Sequence, residues 1–151
     1  MESMQEDYPV LSFLVRRVWL GMRATIGEEL ARFQLTVPQF ATLIILADHP
    51  DVSVSDVARH VGSSRQAANE MLAGLERQDL IVRSPHPVDR RKHVLEITAQ
   101  GRKRLAEARP AVERRERELE AEIAPEHRAA VRKWLVQLAA SCVADPFDPR
   151  S

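Results

Sequence analysis

At 151 residues, with 44% hydrophobic and 29% charged side chains, the chain holds enough apolar material for one ordinary domain and is not biased toward disorder. No apolar run approaches the ~18 residues a membrane span needs, and the acidic start MESMQEDYPV lacks the basic-then-apolar order of a signal peptide. The single cysteine, Cys142, excludes an internal disulfide, so a soluble cytoplasmic protein with no membrane partner is expected. Net charge is zero, but its distribution is uneven. Residues 1–58 carry four basic and eight acidic side chains, residues 59–104 ten and five, and residues 105–151 eight and nine. The cationic excess is therefore confined to the middle third, where a polyanion would be met.

In chain order, apolar residues from Leu11 to Phe33 recur at intervals of three and four and predict one long amphipathic helix. Thr36 with Gln39 forms a capping box for a second helix, through Phe40, Leu43, Ile44 and Leu46 to about Asp48. Ser53 and Asp56 repeat the pattern for a short third helix ended by Gly62. Ser63 with Gln66 predicts the start of a fourth, running to about Gln78 with Ala68, Met71, Leu72 and Leu75 on its inward side. Two helices and a glycine-containing turn within about 25 residues have helix-turn-helix spacing.

The period then changes. Leu80–Arg83 and His93–Ile97 are short β-prone runs, and the nine residues between them, SPHPVDRRK, form a cationic hairpin tip with both prolines expected outside the strands. Thr98 caps a fifth helix whose Leu105, Val112 and Leu119 lie seven apart, with Pro110 predicting a kink or break. Pro125 opens a sixth carrying Val131, Trp134, Leu135 and Leu138, and the last residues, ADPFDPRS, read as a frayed tail. The expected fold is mainly α (α+β), a winged helix-turn-helix with a two-stranded hairpin wing. It divides into an N-terminal helix (1–34), a winged lobe (35–98), C-terminal helices (99–143) and a tail (144–151).

Such a lobe can place its second helix in the major groove and its basic hairpin on the adjacent backbone or minor groove. The run from Leu35 to Arg104, with LTVPQFATLIIL, the following helix pair, Asp89-Arg90-Arg91, Ile97-Thr98 and Gly101, resembles the MarR (multiple-antibiotic-resistance regulator) family. The resemblance implies a transcriptional regulator, a repressor, that binds a pseudo-palindromic stretch of double-stranded DNA as a homodimer. It implies that Asp89 orients a neighbouring wing arginine and that Arg91 enters the minor groove, with Arg90 and Lys92 beside it. On the fourth helix Ser64, Arg65, Gln66 and Asn69 are the polar positions away from the apolar stripe and are expected to face DNA. Glu70 and Gly74 depart from the family pattern. Glu70 either repels phosphate or accepts from a cytosine, and the residues leave both readings open.

The dimer interface is expected along Leu11, Leu14, Val112, Leu119, Trp134 and Leu138. The resemblance also implies a small aromatic or lipophilic effector, for which Trp19, Met22, Phe33 and Phe40 form a candidate cleft; the same stripe equally serves as plain core. Cys142 has no Lys or His within four residues and is read as an inert thiol. The five histidines show no His-x₃-His spacing, and no nucleophile elbow or phosphate loop is present, so no metal, cofactor or catalysis is expected. A different class, a winged-helix protein-interaction module without DNA binding, is motivated by Glu70 and the neutral total charge.

Overall fold

The computed structural model describes residues 10–142; the expected frayed tail at 144–151 and the acidic first residues lie outside the described residues. Its elements are α1 (Leu11–Ala31), α2 (Val37–Asp48), α3 (Val54–Val61), α4 (Arg65–Arg77), β1 (Ile81–Pro85), β2 (His93–Ile97), α5 (Ala99–Glu120) and α6 (Pro125–Cys142). Three helices begin where capping chemistry predicts. Thr36 and Ser53 form complete capping boxes with Gln39 and Asp56, and Thr98 accepts from the Gly101 N–H at 2.9 Å. At α4 the cap is Ser64 rather than Ser63: Ser64 Oγ accepts from the Ala67 N–H at 3.1 Å, because Gly62 in the left-handed region carries the chain one residue further before it turns helical.

Three helix ends share one device. Beyond α1, α3 and α4 a residue with positive φ (Gln34, Gly62 and Asp79) reverses the chain, and the next N–H returns to a carbonyl five residues back, Leu35 to Leu30, Ser63 to Ala58 and Leu80 to Leu75. This is why α1 stops at Ala31 instead of Phe33: the reversal at Gln34 drives Leu35 into the core.

The core gathers Leu30, Leu43, Val57, Leu72, Leu75, Leu80, Ile81 and Leu95, all buried. The one buried polar side chain among the described residues, Thr42, donates to the Pro38 carbonyl at 2.8 Å and touches Met71 Sδ. β1 and β2 pair antiparallel from Ile81↔Ile97 to Pro85↔His93, so Pro85 lies within the strand, contrary to the sequence expectation. Its position explains the tolerance. Leu95 sends its N–H away from β1 to Val52, and His86 sends its own to Lys92, so pairs of Leu95's parity, including Pro85↔His93, exchange no ladder bonds.

α5 runs unbroken through Pro110. Pro110 and Ala106, whose carbonyl loses its helical donor, are both exposed, so water can take that bond. Leu105, Ala108, Ala111 and Val112 are buried, and Arg104 donates to the Phe33 carbonyl at 2.8 Å, clamping α5 to the turn after α1. The heptad seam is therefore intrachain over its first two positions. Val112, expected at a dimer interface, belongs to the core, and only Leu119 retains partial exposure.

At the hairpin base Thr98 N–H donates to the Leu80 carbonyl and Thr98 Oγ1 to that of Asp79. Gly101 packs so tightly here that a Cβ would stand 2.1 Å from Leu80 O and 2.7 Å from Ile97 Cγ1. Gly101→Ala should lower unfolding free energy by roughly 1–3 kcal/mol or more through this backbone clash. Conversely, exposed Gln34→Gly should raise it by about 1 kcal/mol, because the left-handed conformation costs glycine nothing. Urea denaturation of both variants checks the pair; a Gly101→Ala protein as stable as wild type contradicts the packing.

Candidate nucleic-acid interface

α3 and α4 form the helix pair, with Val54, Val57 and Ala58 of α3 set against Ala68, Leu72 and Leu75 of α4. Burial alone would push the Asp56 carboxyl up, but hydrogen bonds from the Ser53 hydroxyl and N–H, with Arg59 beside them, hold it below its ordinary value. The α3 cap is thus fully charged at neutral pH. Its contribution is lost only as pH falls through that lowered value.

On the outer side of α4, Arg65, Gln66 and Glu70 are exposed. Ser64 is exposed too, but its hydroxyl is committed to the helix cap. Gln66 Nε2 approaches Glu70 Oε1 at 3.4 Å, so the carboxylate unexpected in this helix has a neighbour able to donate to it. At Gly74 a Cβ would stand 3.3 Å from Nε2 of the Gln39 side chain, so the position packs toward α2.

Asn69 departs from the expectation of a free base reader. It is half-buried, its amide nitrogen donates to the Arg65 carbonyl at 3.0 Å, and its oxygen accepts from Arg83 Nη1 at 3.0 Å. Both ends of the amide are thus already engaged. Arg83 also reaches Glu76 through Nε at 3.1 Å and Nη2 at 3.0 Å. Sequence reasoning missed Arg83 and Glu76. The available signal was strand parity: Arg83 lies two residues after buried Ile81 and so shares its inward face.

The wing tip spans 86–92, with Arg90, Arg91 and Lys92 exposed together. His86 shapes it, its Nδ1 accepting from the N–H groups of Val88 and Asp89 at 3.2 and 3.1 Å. Asp89 accepts from the backbone N–H of Arg91 at 3.1 Å, and its carbonyl accepts from Lys92. It therefore orients the Arg91 backbone, where a side-chain pairing with an arginine was expected. The sequence weighs His86 only among five histidines without metal-ligand spacing; its place two and three residues before the N–H groups it accepts from is the spacing of a side-chain-capped turn.

A cavity of about 910 Å³ opens between α1 and the lobe, lined by Trp19 and Arg23 of α1, the start of α2, His60 to Ser63, and Ala67 and Met71 of α4. Of the four expected cleft residues only Trp19 lines it. Phe40 is core, Phe33 packs partly buried against the core, and Met22 is exposed elsewhere on α1.

The MarR family model matches residues 35–93. The transcriptional regulator HosA of Escherichia coli O111:H- is 33% identical over 94 residues, covering 59% of this chain and 70% of that protein. The HTH-type transcriptional repressor Rv2887 of Mycobacterium tuberculosis H37Rv is 31% identical over 100 residues, 66% of this chain and 71% of the relative. Among solved structures, the transcriptional repressor CouR bound to a 23-mer DNA duplex superposes with a TM-score of 0.81 at 31% identity, over 92% of this chain and 99% of that one. The M. tuberculosis MarR family protein Rv2887 in complex with p-aminosalicylic acid gives 0.74 at 25% identity, over 86% and 98%. With its helix pair, its cationic hairpin and these relatives, the chain belongs to the MarR family and is a winged helix-turn-helix transcriptional regulator, not an enzyme.

Proposed function

We propose that the chain is a cytoplasmic repressor that binds a pseudo-palindromic operator as a homodimer and is released by a small aromatic acid. The observation that carries this reading is the exposed cationic wing beside the polar face of α4, on a chain similar over 92% of its length to a repressor solved on duplex DNA. The two elements suit adjacent grooves: α4 presents Arg65 and Gln66 to base edges and phosphate, and the tip carries Arg90, Arg91 and Lys92 to the flanking backbone. Among the described residues no helix is long and apolar enough to cross a membrane.

Dimerisation is supported by surface that one chain leaves uncovered. Residues 10–22 are exposed throughout, including Leu11, Phe13, Leu14, Val18 and Trp19, and α6 has no buried residue, with Trp134, Leu135 and Val136 open. Exposed apolar side chains concentrated on two helices in this way mark an interaction site, and an isolated helix of this length draws little stability from itself. A second copy covering both faces would set two lobes about a two-fold axis, matching two half-sites. The effector reading rests on the α1–lobe cavity, which combines Trp19 with the cation of Arg23, and on one relative, Rv2887, solved with p-aminosalicylic acid and with salicylic acid.

Arg91→Ala should weaken operator binding by about 1–3 kcal/mol, and Arg90→Ala should flatten the salt dependence by about one unit of slope, both with unchanged melting temperature. Fluorescence anisotropy across a salt series measures this, and wild-type affinity in Arg91→Ala rejects the wing role. Leu14→Glu should shift the protein to monomer in sedimentation and abolish tight operator binding with it; a fully dimeric variant removes α1 from the interface. Salicylate should displace labelled operator from wild type and do so less well from Trp19→Ala. Equal displacement would place the ligand outside this cavity.

A further inference from the structure

We infer that Arg83 is a positioning residue: it fixes the recognition helix α4 against the wing strand β1 through Asn69 and Glu76, and so sets how sharply the protein separates its operator from other duplexes. The inference rests on the DNA-binding reading above. Asn69 and Glu76 are seven residues apart, two turns along one face of α4, or about 10 Å of helix. The Arg83 guanidinium bridges them, meeting Glu76 Oε1 with Nε and Nη2 and Asn69 Oδ1 with Nη1. A planar fork with donors on separate edges can hold two partners at fixed angles, which a lysine ammonium cannot. The Arg83 side chain is only 22% exposed, so these charge-assisted bonds are partly shielded from water.

Position gives the link its consequence. Arg83 sits in the middle of β1, two residues before Pro85 and three before the turn that His86 organises. Asn69 sits in the second turn of α4, one turn after Arg65, whose carbonyl takes the other end of its amide. Two elements that must enter different grooves are thereby held in one mutual orientation. Base reading demands that orientation; phosphate attraction tolerates its loss. Because Glu76 matches the charge of Arg83, the arginine adds little to the pull on phosphate.

The test selects bound duplexes from a random-sequence pool with the wild-type protein. It then compares affinity for a selected and a random duplex across Arg83→Lys, Glu76→Ala, Asn69→Ala and the Arg83→Lys/Asn69→Ala double variant. Each single change should lower the selected-over-random ratio by about tenfold, the scale of one charge-assisted hydrogen bond. The loss should be spread over several base positions, with the salt slope unchanged in Arg83→Lys and Asn69→Ala and the double variant no worse than either single one. Glu76→Ala is the sharpest arm. Removing an anion should tighten binding to every duplex, yet the ratio should fall. An unchanged ratio in Arg83→Lys overturns the proposal, as does an equal loss on both duplexes with a flatter salt slope, which would make Arg83 a phosphate contact. A loss confined to one base position in Asn69→Ala alone also overturns it, making Asn69 a base reader. Without DNA, the Arg83 Nε–H should exchange slowly with solvent in wild type and quickly in Glu76→Ala by NMR. Fast exchange in wild type refutes the link even where the protein retains no duplex, an outcome that by itself counts only against the function proposed above.

Discussion

The close approach of Gly101 to the Leu80 carbonyl, with Thr98 bonded on either side of it, is the constraint on which the molecule's working geometry depends. At this point α4 has just ended, β1 begins, β2 ends and α5 starts. Thr98 uses its N–H and hydroxyl proton on the carbonyls of Leu80 and Asp79 and accepts with the same oxygen from Gly101. One residue thus closes the hairpin base, caps α5 and satisfies a carbonyl just beyond α4. Any side chain at 101 would push these elements apart, and the displacement would grow along the hairpin toward its tip.

From that knot the chain separates into parts with different needs. The lobe buries Leu43, Leu72, Leu75 and Leu95 in a core that Leu30 of α1 and Leu105 and Val112 of α5 complete, and its polar surface is left to face a ligand. α1 and α6 have the opposite character. The apolar residues of α6 and of α1 before Ile26 exceed what the lobe can cover, while α1 is anchored by Ile26 and Leu30 and α5 by Leu105, Ala108 and Val112, with the Arg114–Glu29 pair between them. The cavity lies at the boundary, touched by Trp19 from one part and by Ala67 and Met71 from the recognition helix. A molecule occupying it would contact both parts, which is the arrangement a coupling between occupancy and groove geometry requires.

Much of this was legible in the sequence because it is written in local chemistry. Thr36–Gln39 and Ser53–Asp56 are capping boxes within four residues, and the inward stripe Ala68, Leu72, Leu75 follows helical period. What was not legible depends on residues far apart in the chain. Asn69 is polar and lies off the apolar stripe, which describes a base reader and an internal strut equally well; only Arg83, fourteen residues on, decides between them. Val112 fits a heptad whether the opposing helix comes from the same chain or another. The end of α1 was misjudged because Gln34 adopts a conformation for which glycine, not glutamine, is the usual sign. His86 was judged by metal spacing when its ring nitrogen serves the backbone.

Pro85 has a consequence for how the protein survives at high concentration. A two-stranded ribbon offers two open edges, and each row of unpaired N–H groups invites another chain to add a strand and begin aggregation. The outer edge of β2 is already engaged where Leu95 bonds Val52. On β1 the residues of Arg83's parity aim their backbone outward, and at the last of them Pro85 has no N–H to offer. The ring that a ladder would normally exclude therefore blunts the free edge of the hairpin beside its most exposed segment, leaving the tip to associate through its charges and not through its backbone.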